Sequence, residues 1–229
     1  MRIIFVRHGE PDYKNDCLTE NGRLQAQNTA RRLHDENIEA IYSSPMGRAM
    51  ETASYTAKDH ELEIIPLDFM HEIDWGGKTG DIPYKGHPWT LGYQLLIEHP
   101  EYVGSSDWDK HHYFSDNKCM DFYEKISKGI DSFMAEKGYV GANSLYKCNR
   151  INNATYAIFA HGGSGAIMFS HLFGLPLPFV LTSLPYGVCS VSIIAFDALE
   201  GEYAIPRFEL FNDMRHIDSF KIESLHFDK

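Results

Sequence analysis

Three segments of the chain end in residues that could assemble a site for an anion. Arg7 and His8 directly follow the apolar run from Ile3 to Val6, and His161 follows the run from Tyr156 to Ala160. Between them, the run from Ile38 to Tyr42 leads to Arg48. An imidazole beside a guanidinium suits an anion such as phosphate, because both can donate hydrogen bonds and the guanidinium stays charged. For the segment Arg7 to Glu10 alone, a hydrogen-bonded turn histidine is an equally good interpretation. The repetition of the pattern along the chain favours a site.

The chemistry that these residues could carry is phosphoryl transfer through a histidine. A neutral imidazole nitrogen can attack phosphorus in line once its other nitrogen is held by a hydrogen bond, which makes His8 the candidate nucleophile and phosphohistidine the intermediate. Arg7, Arg48 and His161 would match the charge on the transferred oxygens. Backbone N–H groups at the helix start after Gly162 are expected as further donors. Such a pocket can work without a divalent metal.

A leaving alkoxide also needs a proton, so an acid must reach the same place. Glu72, in the segment from Met70 to Gly77, is our candidate. It would protonate the leaving group and then take a proton from the attacking water, which requires a pKa closer to neutral than that of a free glutamate. Asp74 and Glu10 are alternative candidates, and a merely solvated carboxylate is the alternative to any catalytic role.

The elements that must position these residues are short buried strands. A continuous apolar run stopped by Gly and Pro is typical of a strand in a sheet covered on both faces. In open α/β sheets, ligands bind at the carboxyl edge of such strands. The predicted strands are Ile3 to Val6, Ile38 to Tyr42, Leu62 to Leu67, Tyr156 to Ala160 and Val188 to Phe196, and Tyr139 to Asn149 is predicted to form a short hairpin.

A helix is predicted directly after the second strand. Ser43 to Pro45 is typical of a helix N-terminus, with a serine cap and Pro45 at the first helical position. Apolar residues then recur at helical spacing, and Arg48 lies in the first turn but off that face. Its guanidinium is therefore expected to face the crevice or the solvent. The apolar residues are Met46, Ala49, Met50, Ala53 and Ala57.

Two further amphipathic helices are expected to cover the sheet. One is predicted to be capped by Thr19 and to extend to about Glu36. The sequence thus predicts an α/β fold, a three-layer sandwich in which helices flank a central, mostly parallel sheet. The apolar residues of the first helix are Ala26, Ala30 and Leu33, and those of the second are Phe122, Ile126, Ile130, Phe133 and Met134.

Five motifs, in order along the chain, resemble those of the histidine phosphatase superfamily, the phosphoglycerate mutase-like group. The resemblance implies His8 as the phosphorylated residue, Glu72 as the proton donor, and no metal or other cofactor. It also implies a phosphate grip formed by Arg7, Arg48 and His161. The motifs are Arg7 to Glu10, Leu18 to Ala26, Ser43 to Ala53, Glu72 with Trp75 and Gly76, and Ala160 to Gly163.

The chain departs from the family pattern directly after its first motif. Many relatives place Thr or Ser there and an Asn a few residues later, both able to contact phosphate, whereas this chain has Pro11 to Asn15. Pro11 has no N–H to donate. Lys14 or Asn15 are the candidates to replace the missing contacts.

The segment from Gly80 to Lys118 resembles the family's variable insertion. Its aromatic density predicts a cap that folds over the phosphate site and contacts the leaving group. The alternative is a satellite hydrophobic cluster beneath a long loop. The aromatic residues are Tyr84, Trp89, Tyr93, Tyr102, Trp108, Tyr113 and Phe114.

The remaining histidines are not expected to carry chemistry. His71 adjoins Glu72 but would point elsewhere in an extended segment, so we assign it no role. His216 is predicted to be structural. Four histidines of the middle segment match no common zinc spacing, so no metal site is predicted there. They are His87, His99, His111 and His112.

Composition predicts a single domain that spans residues 1–229, with the cap at about 80–118. The chain is 43% apolar and carries a net charge of −11, which argues against nucleic acid and anionic membranes as partners. The apolar stretch from Leu172 to Leu181 is too short to cross a bilayer. Met1 leads directly into a strand, so no cleaved signal segment is expected, and the four cysteines are expected to be free thiols. A cytoplasmic location follows.

Three functions are compatible with these residues. The first is a phosphomonoesterase that hydrolyses a small phosphorylated metabolite. The second is a mutase of the phosphoglycerate type, which would hold the departing hydroxyl compound for re-phosphorylation. The third is a catalytically silent module that binds phosphorylated ligands. The sequence favours the first, because the catalytic set is complete and no second device for positioning phosphate is recognisable. The substrate and the oligomeric state stay open.

Overall fold

A six-stranded sheet forms the centre of the computed structural model, which describes residues 1–142 and 145–217. In chain order the strands are β1 (Arg2–Arg7), β2 (Pro11–Asp12), β3 (Cys17–Leu18), β4 (Ile38–Ser43), β5 (Ile64–Pro66), β6 (Tyr139–Ala142), β7 (Leu145–Cys148), β8 (Thr155–Ala160), β9 (Val191–Ala195), β10 (Tyr203–Ala204) and β11 (Arg207–Asp213). The central sheet has the order β11-β9-β1-β8-β4-β5. In it β1, β8, β4 and β5 run parallel to one another, and β9 runs antiparallel to both of its neighbours, β1 and β11.

Helices cover both faces of this sheet, as the alternation along β1 shows. Ile3 and Phe5 belong to one hydrophobic cluster, and Ile4 and Val6 belong to the other. The predicted sandwich with a mostly parallel central sheet is therefore confirmed. The helices are α1 (Glu20–Leu33), α2 (Gly47–Asp59), α3 (Pro88–Glu98), α4 (His112–Ser115), α5 (Cys119–Glu136), α6 (Gly162–Phe173) and α7 (Leu177–Ser183).

The start of α2 differs from its prediction. The helix begins at Gly47, and the cap residue is Met46, whose side chain makes no capping hydrogen bond. Pro45 is therefore not the first helical residue. Ser44 and the carboxylate of Asp16, from a distant loop, instead accept hydrogen bonds from Met46 N and Gly47 N. Asp16, which lies far from α2 in the sequence, thus provides a capping acceptor where the sequence predicted only a local serine.

The other predicted elements are present with shifted ends. Thr19 caps α1 by accepting a hydrogen bond from Gly22 N, and the helix ends at Leu33 rather than near Glu36. β5 is shorter than the predicted run from Leu62 to Leu67. β6 and β7 form the predicted antiparallel hairpin, although its residues 143 and 144 lie outside the described part of the chain.

The segment predicted as a cap folds mainly into helices. It contains α3, α4 and several short 3-10 turns, and α3 packs against α7. Trp108 and Phe114 are buried within the larger of the hydrophobic clusters, so they are part of the main core rather than of a separate satellite. Nearer Glu72, the ring of Trp75 contacts those of His87 and Trp89.

Several histidines outside the predicted site form structural hydrogen bonds. The rings of His87 and His111 accept hydrogen bonds at the starts of α3 and α4, and His216 Nε2 lies 3.0 Å from Cys189 O. All four cysteines are free. Residues 1–142 and 145–217 contain no cluster of three or more potential metal ligands. Within the same residues, no helix has the length and apolar character to traverse a bilayer.

Candidate active site

The ends of β1, β4 and β8 meet at the carboxyl edge of the sheet. Arg7 pairs in register with Ala160, and Ser43 pairs with Phe159. The next residues continue this contact, because His8 N donates a hydrogen bond to Ala160 O at 2.9 Å. The rings of His8 and His161 lie edge to face with centroids 5.1 Å apart. Parallel pairing thus brings together histidines that are far apart in the sequence.

His8 is buried and is held for attack by its Nε2 atom. Nδ1 lies 2.7 Å from Gly9 O, so Nδ1 carries the proton and donates to that carbonyl. Nε2 is left with a lone pair, and it faces Arg48 Nε at 3.3 Å. Burial, opposed by the hydrogen bond to Gly9 and reinforced by the charges of Arg7 and Arg48, lowers the pKa of His8 to about 3. The imidazole is therefore neutral near pH 7.

His161 is also fully buried, and its ring contacts Ser44. Its Nε2 lies 2.8 Å from Ser44 Oγ, which accepts a hydrogen bond from Met46 N at 3.3 Å. A hydroxyl that donates to Nε2 leaves the ring proton on Nδ1, and within residues 1–142 and 145–217 Nδ1 has no hydrogen-bond partner. Burial lowers the pKa of His161, and His8 lowers it further. A neutral ring with an unused N–H can donate to a phosphate oxygen.

Arg48 is held between His8 and an acidic residue that the sequence did not single out. Asp16 Oδ1 accepts a hydrogen bond from Arg48 Nη1 at 2.6 Å, and the ring of Tyr13 lies 5.5 Å from the guanidinium carbon. Lys14 N and the Asn15 side chain instead donate to Asp12. The hydrogen bonds of this loop thus bring Asp16 to Arg48, whereas the amide of Asn15 is engaged away from it.

Arg7 is fixed by the loop that precedes β9. Its Nη1 donates a hydrogen bond to Tyr186 O at 2.9 Å. The hydroxyl of Tyr186 donates in turn to Gly162 O at 2.5 Å, at the start of α6. Tyr186 therefore ties Arg7 to the helix that follows His161. No local pattern in the sequence indicates Tyr186, because the contact joins segments that are widely separated in the chain.

Glu72 lies on the N-terminus of α6. Its Oε1 accepts hydrogen bonds from Ile73 N at 2.9 Å, Gly163 N at 2.9 Å and Ser164 N at 3.1 Å. Oε2 lies 3.3 Å from Gly163 N. The backbone donors of Gly163 and Ser164, expected to bind phosphate, are thus used by the acid in this structure. The carboxylate also benefits from the positive end of the helix dipole.

Burial nevertheless raises the pKa of Glu72, against the lowering effects of its backbone hydrogen bonds and of Arg7. The competing acids lie elsewhere. Glu10 accepts hydrogen bonds from Thr19 and Asn21 near the start of α1. Asp74 is exposed and accepts from Trp75 N.

His71, which received no role from the sequence, lies within electrostatic range of His161. After burial, His8 and Arg48, it is a further group that lowers the pKa of His161. That His71 has no role in the site stays a prediction.

The geometry defines an α/β protein of phosphoglycerate mutase-like fold, with two histidines and two arginines gathered at the carboxyl edge of its sheet. Residues 3–87 match the family model of the histidine phosphatase superfamily, branch 1. The match covers the part of the chain that carries Arg7, His8, Arg48 and Glu72, so this part is similar to proteins of that superfamily.

Among curated proteins, the chain is 35% identical to phosphoserine phosphatase 1 of Hydrogenobacter thermophilus over 115 residues, which is 45% of this chain and 54% of that protein. It is 33% identical over 87 residues to the 2,3-bisphosphoglycerate-dependent phosphoglycerate mutase of Thermoplasma acidophilum, 34% of this chain and 44% of that protein. The chain thus spans about half the length of the curated relatives that it matches.

Solved structures extend the likeness of fold over nearly the whole chain. A mycobacterial glucosyl-3-phosphoglycerate phosphatase is similar with a TM-score of 0.62 and 19% identity, covering 92% of this chain and 98% of that one. A phosphoserine phosphatase variant from Entamoeba histolytica in complex with phosphoserine has a TM-score of 0.62 and 20% identity, with 94% and 98% covered.

Proposed function

We propose that this protein is a phosphatase that hydrolyses small phosphorylated metabolites through a phosphohistidine intermediate on His8. The observation that carries the proposal is the pairing of a neutral His8, whose Nε2 faces Arg48, with the Nδ1 of His161, which has no hydrogen-bond partner in the described part of the chain. Arg7 and Glu72 lie at the same edge of the sheet. In this proposal Arg7, Arg48 and His161 bind the phosphoryl oxygens, and Glu72 is the general acid and base.

The first step forms a bond between His8 Nε2 and phosphorus while the bond from phosphorus to the ester oxygen breaks. The departing oxygen takes a proton from Glu72. Oε2 is the oxygen that carries this proton, because Oε1 is already occupied by three backbone N–H groups. Those donors stabilise the carboxylate once the proton has left, and Gly9 O stabilises the ring that has become phosphorylated.

The second step reverses the proton transfer. A water molecule attacks phosphorus, its proton passes to Glu72, and the electron pair of the bond between phosphorus and nitrogen returns to His8 Nε2. Inorganic phosphate and a protonated Glu72 result. The raised pKa of Glu72 suits both proton transfers near neutral pH, because the same carboxyl group acts as the acid in the first step and as the base in the second. None of these steps needs a metal ion or another cofactor.

Phosphatase activity is proposed ahead of mutase activity. A similar curated protein is named a phosphoserine phosphatase, and a similar solved structure is named a glucosyl-3-phosphoglycerate phosphatase. A mutase is the second candidate, because another relative is named a phosphoglycerate mutase. A coupled assay that compares phosphate release with phosphoglycerate isomerisation separates the two activities.

The remaining proposals concern organisation. We propose a single domain over residues 1–229, in which the segment 80–118 contacts the leaving group beside the Glu72 loop. The contact of Trp75 with His87 and Trp89 supports this, since it joins that loop to the segment. A cytoplasmic location is proposed from the four free thiols.

The test is phosphate release from a panel of phosphorylated metabolites by the wild type and by His8→Ala. We expect turnover by the wild type and none by the variant. Brief reaction with labelled substrate and quenching in base should trap an acid-labile label on His8. A catalytically silent module would show no turnover with any ester, and a label on another residue would refute the proposed nucleophile.

A further inference from the structure

Asp16 brings a negative charge to the rim of the proposed phosphate pocket. Its Oδ1 lies 2.6 Å from Arg48 Nη1, while Nε of the same guanidinium lies 3.3 Å from His8 Nε2. One guanidinium thus spans the distance between the two residues. A phosphoryl group bound to His8 would have to share Arg48 with the carboxylate of Asp16.

The loop is built to keep Asp16 in this place. Asp16 Oδ2 accepts a hydrogen bond from Gly47 N at 2.7 Å and so serves the N-terminus of α2, where Met46 offers no side-chain cap. A Cβ atom on Gly47 would overlap Asp16 O, so only glycine allows this approach. The backbone of Asp16 has a φ of 48°, in the left-handed region. Asp12 holds the preceding turn through Lys14 N.

The charge of Asp16 is open to an incoming ligand. Its side chain is 43% exposed although it is paired with Arg48, whose side chain is only 6% exposed. Despite partial burial, the hydrogen bonds from Gly47 N and Arg48 hold the pKa of Asp16 below its usual value, so the carboxylate is ionised near pH 7. A cationic group on a substrate would be attracted here, a neutral group would feel no net charge effect, and a second anion would be repelled.

We propose that Asp16 is a specificity-determining residue that selects for phosphate esters with a positive charge near the ester oxygen, and against those with a second negative charge there. This inference rests on the proposed phosphatase function. Two substrate classes are compared, phosphorylated amino alcohols and phosphorylated hydroxy acids. The site with Asp16 prefers the first class over the second more strongly than the same site would without Asp16. In many relatives a Thr or Ser and an Asn of this loop can contact phosphate. In this chain the loop instead supplies the charge of Asp16, which discriminates between substrates by their charge.

The experiment uses three esters of equal length whose leaving groups carry charges of +1, 0 and −1: phosphoethanolamine, ethyl phosphate and phosphoglycolate. Their kcat/KM values are measured for the wild type and Asp16→Asn. For a charge roughly 9 Å away at an effective dielectric constant of about 40 to 80, the ratio of phosphoethanolamine to phosphoglycolate should fall by about five- to twentyfold in the variant. A displaced Arg48 would weaken the hold on the phosphoryl group of all three esters, which cancels in this ratio, and the loss of its charge near the leaving group would change the ratio in the opposite direction.

Asp68→Asn is the matched control, because it removes one exposed carboxylate outside the site and changes the net charge equally. Its ratio should equal that of the wild type. A ratio in Asp16→Asn within about twofold of the wild type overturns the inference. If that variant does not fold, Asp16→Ser, which keeps an acceptor for Gly47 N, is measured in its place.

Binding separates this inference from the proposed function. If no ester is hydrolysed, the phosphatase proposal fails, but calorimetric titration of the same three esters into His8→Ala, with and without Asp16→Asn, still measures the charge preference. A loss of preference with Asp16→Asn supports the inference, and an unchanged preference overturns it.

Discussion

Gly163→Ala should displace the proposed acid without changing any titratable group. A Cβ atom on Gly163 would lie 2.6 Å from Glu72 Oε1 and would overlap the side chain of Ile73. Real contacts of Cβ are rarely that short, so the carboxylate must retreat by about 1 Å and lose its bonds to Gly163 N and Ser164 N. A displacement of about 1 Å can cost about a hundredfold in rate, which lies within the range that a general acid contributes.

The assay compares two kinds of ester. With an alkyl phosphate, whose leaving group needs a proton, kcat should fall about a hundredfold in Gly163→Ala. With p-nitrophenyl phosphate, whose leaving group needs less protonation, the loss should stay below about tenfold. Equal losses with both esters, or near wild-type rates with the alkyl ester, would refute the role that the structure suggests for Glu72.

Gly162→Ala is the matched control, one residue earlier on the same helix. A Cβ atom on Gly162 would lie 3.4 Å from Arg7 Cζ, an ordinary van der Waals contact. Its losses with the two esters should therefore be small and similar. Thermal unfolding of both variants shows whether folding is affected, since alanine in place of glycine gains up to about 1 kcal/mol of helix propensity.

Three further predictions follow from the site and the core. Ser44→Ala removes the donor to His161 Nε2, so kcat/KM should fall about tenfold with every ester, and the ¹⁵N shifts of the His161 ring should show a mixture of tautomers in place of a proton fixed on Nδ1. The His8 pKa of about 3 keeps the nucleophile neutral down to about pH 4, so activity should fall mainly as pH rises through the raised pKa of Glu72, and this alkaline fall should vanish in Glu72→Gln. Phe114→Ala opens a cavity in the main hydrophobic cluster and should lower the free energy of unfolding by about 3 to 5 kcal/mol in denaturant titration, whereas a loosely attached segment would show little change.

The strands that carry the site were predictable because their physical signal is local. Ile3 to Val6 is apolar at every position, and a strand covered on both faces requires this. The convergence of His8 and His161 then follows from parallel pairing, since neighbouring strand ends meet at one edge.

The connections between distant segments were not predictable in the same way. The local signal at Ser43 to Pro45 suggested a helix start, but Ser44 is used by His161 and the amide of Gly47 by Asp16. Asp16 and Tyr186 act through contacts that exist only in the folded chain. A charged residue in a loop is usually solvated. The local sequence therefore does not distinguish Asp16 from loop carboxylates that contact only water.

The position of Glu72 at the N-terminus of α6 has a consequence for how the protein can diversify. The carboxylate is anchored to backbone amides of the scaffold, and none of its hydrogen bonds comes from residues 80–118. Mutations in that segment can therefore accumulate while the carboxylate of Glu72 keeps its position. If the segment contacts the leaving group and Glu72 is the acid, as proposed, substrate preference can evolve separately from the chemistry.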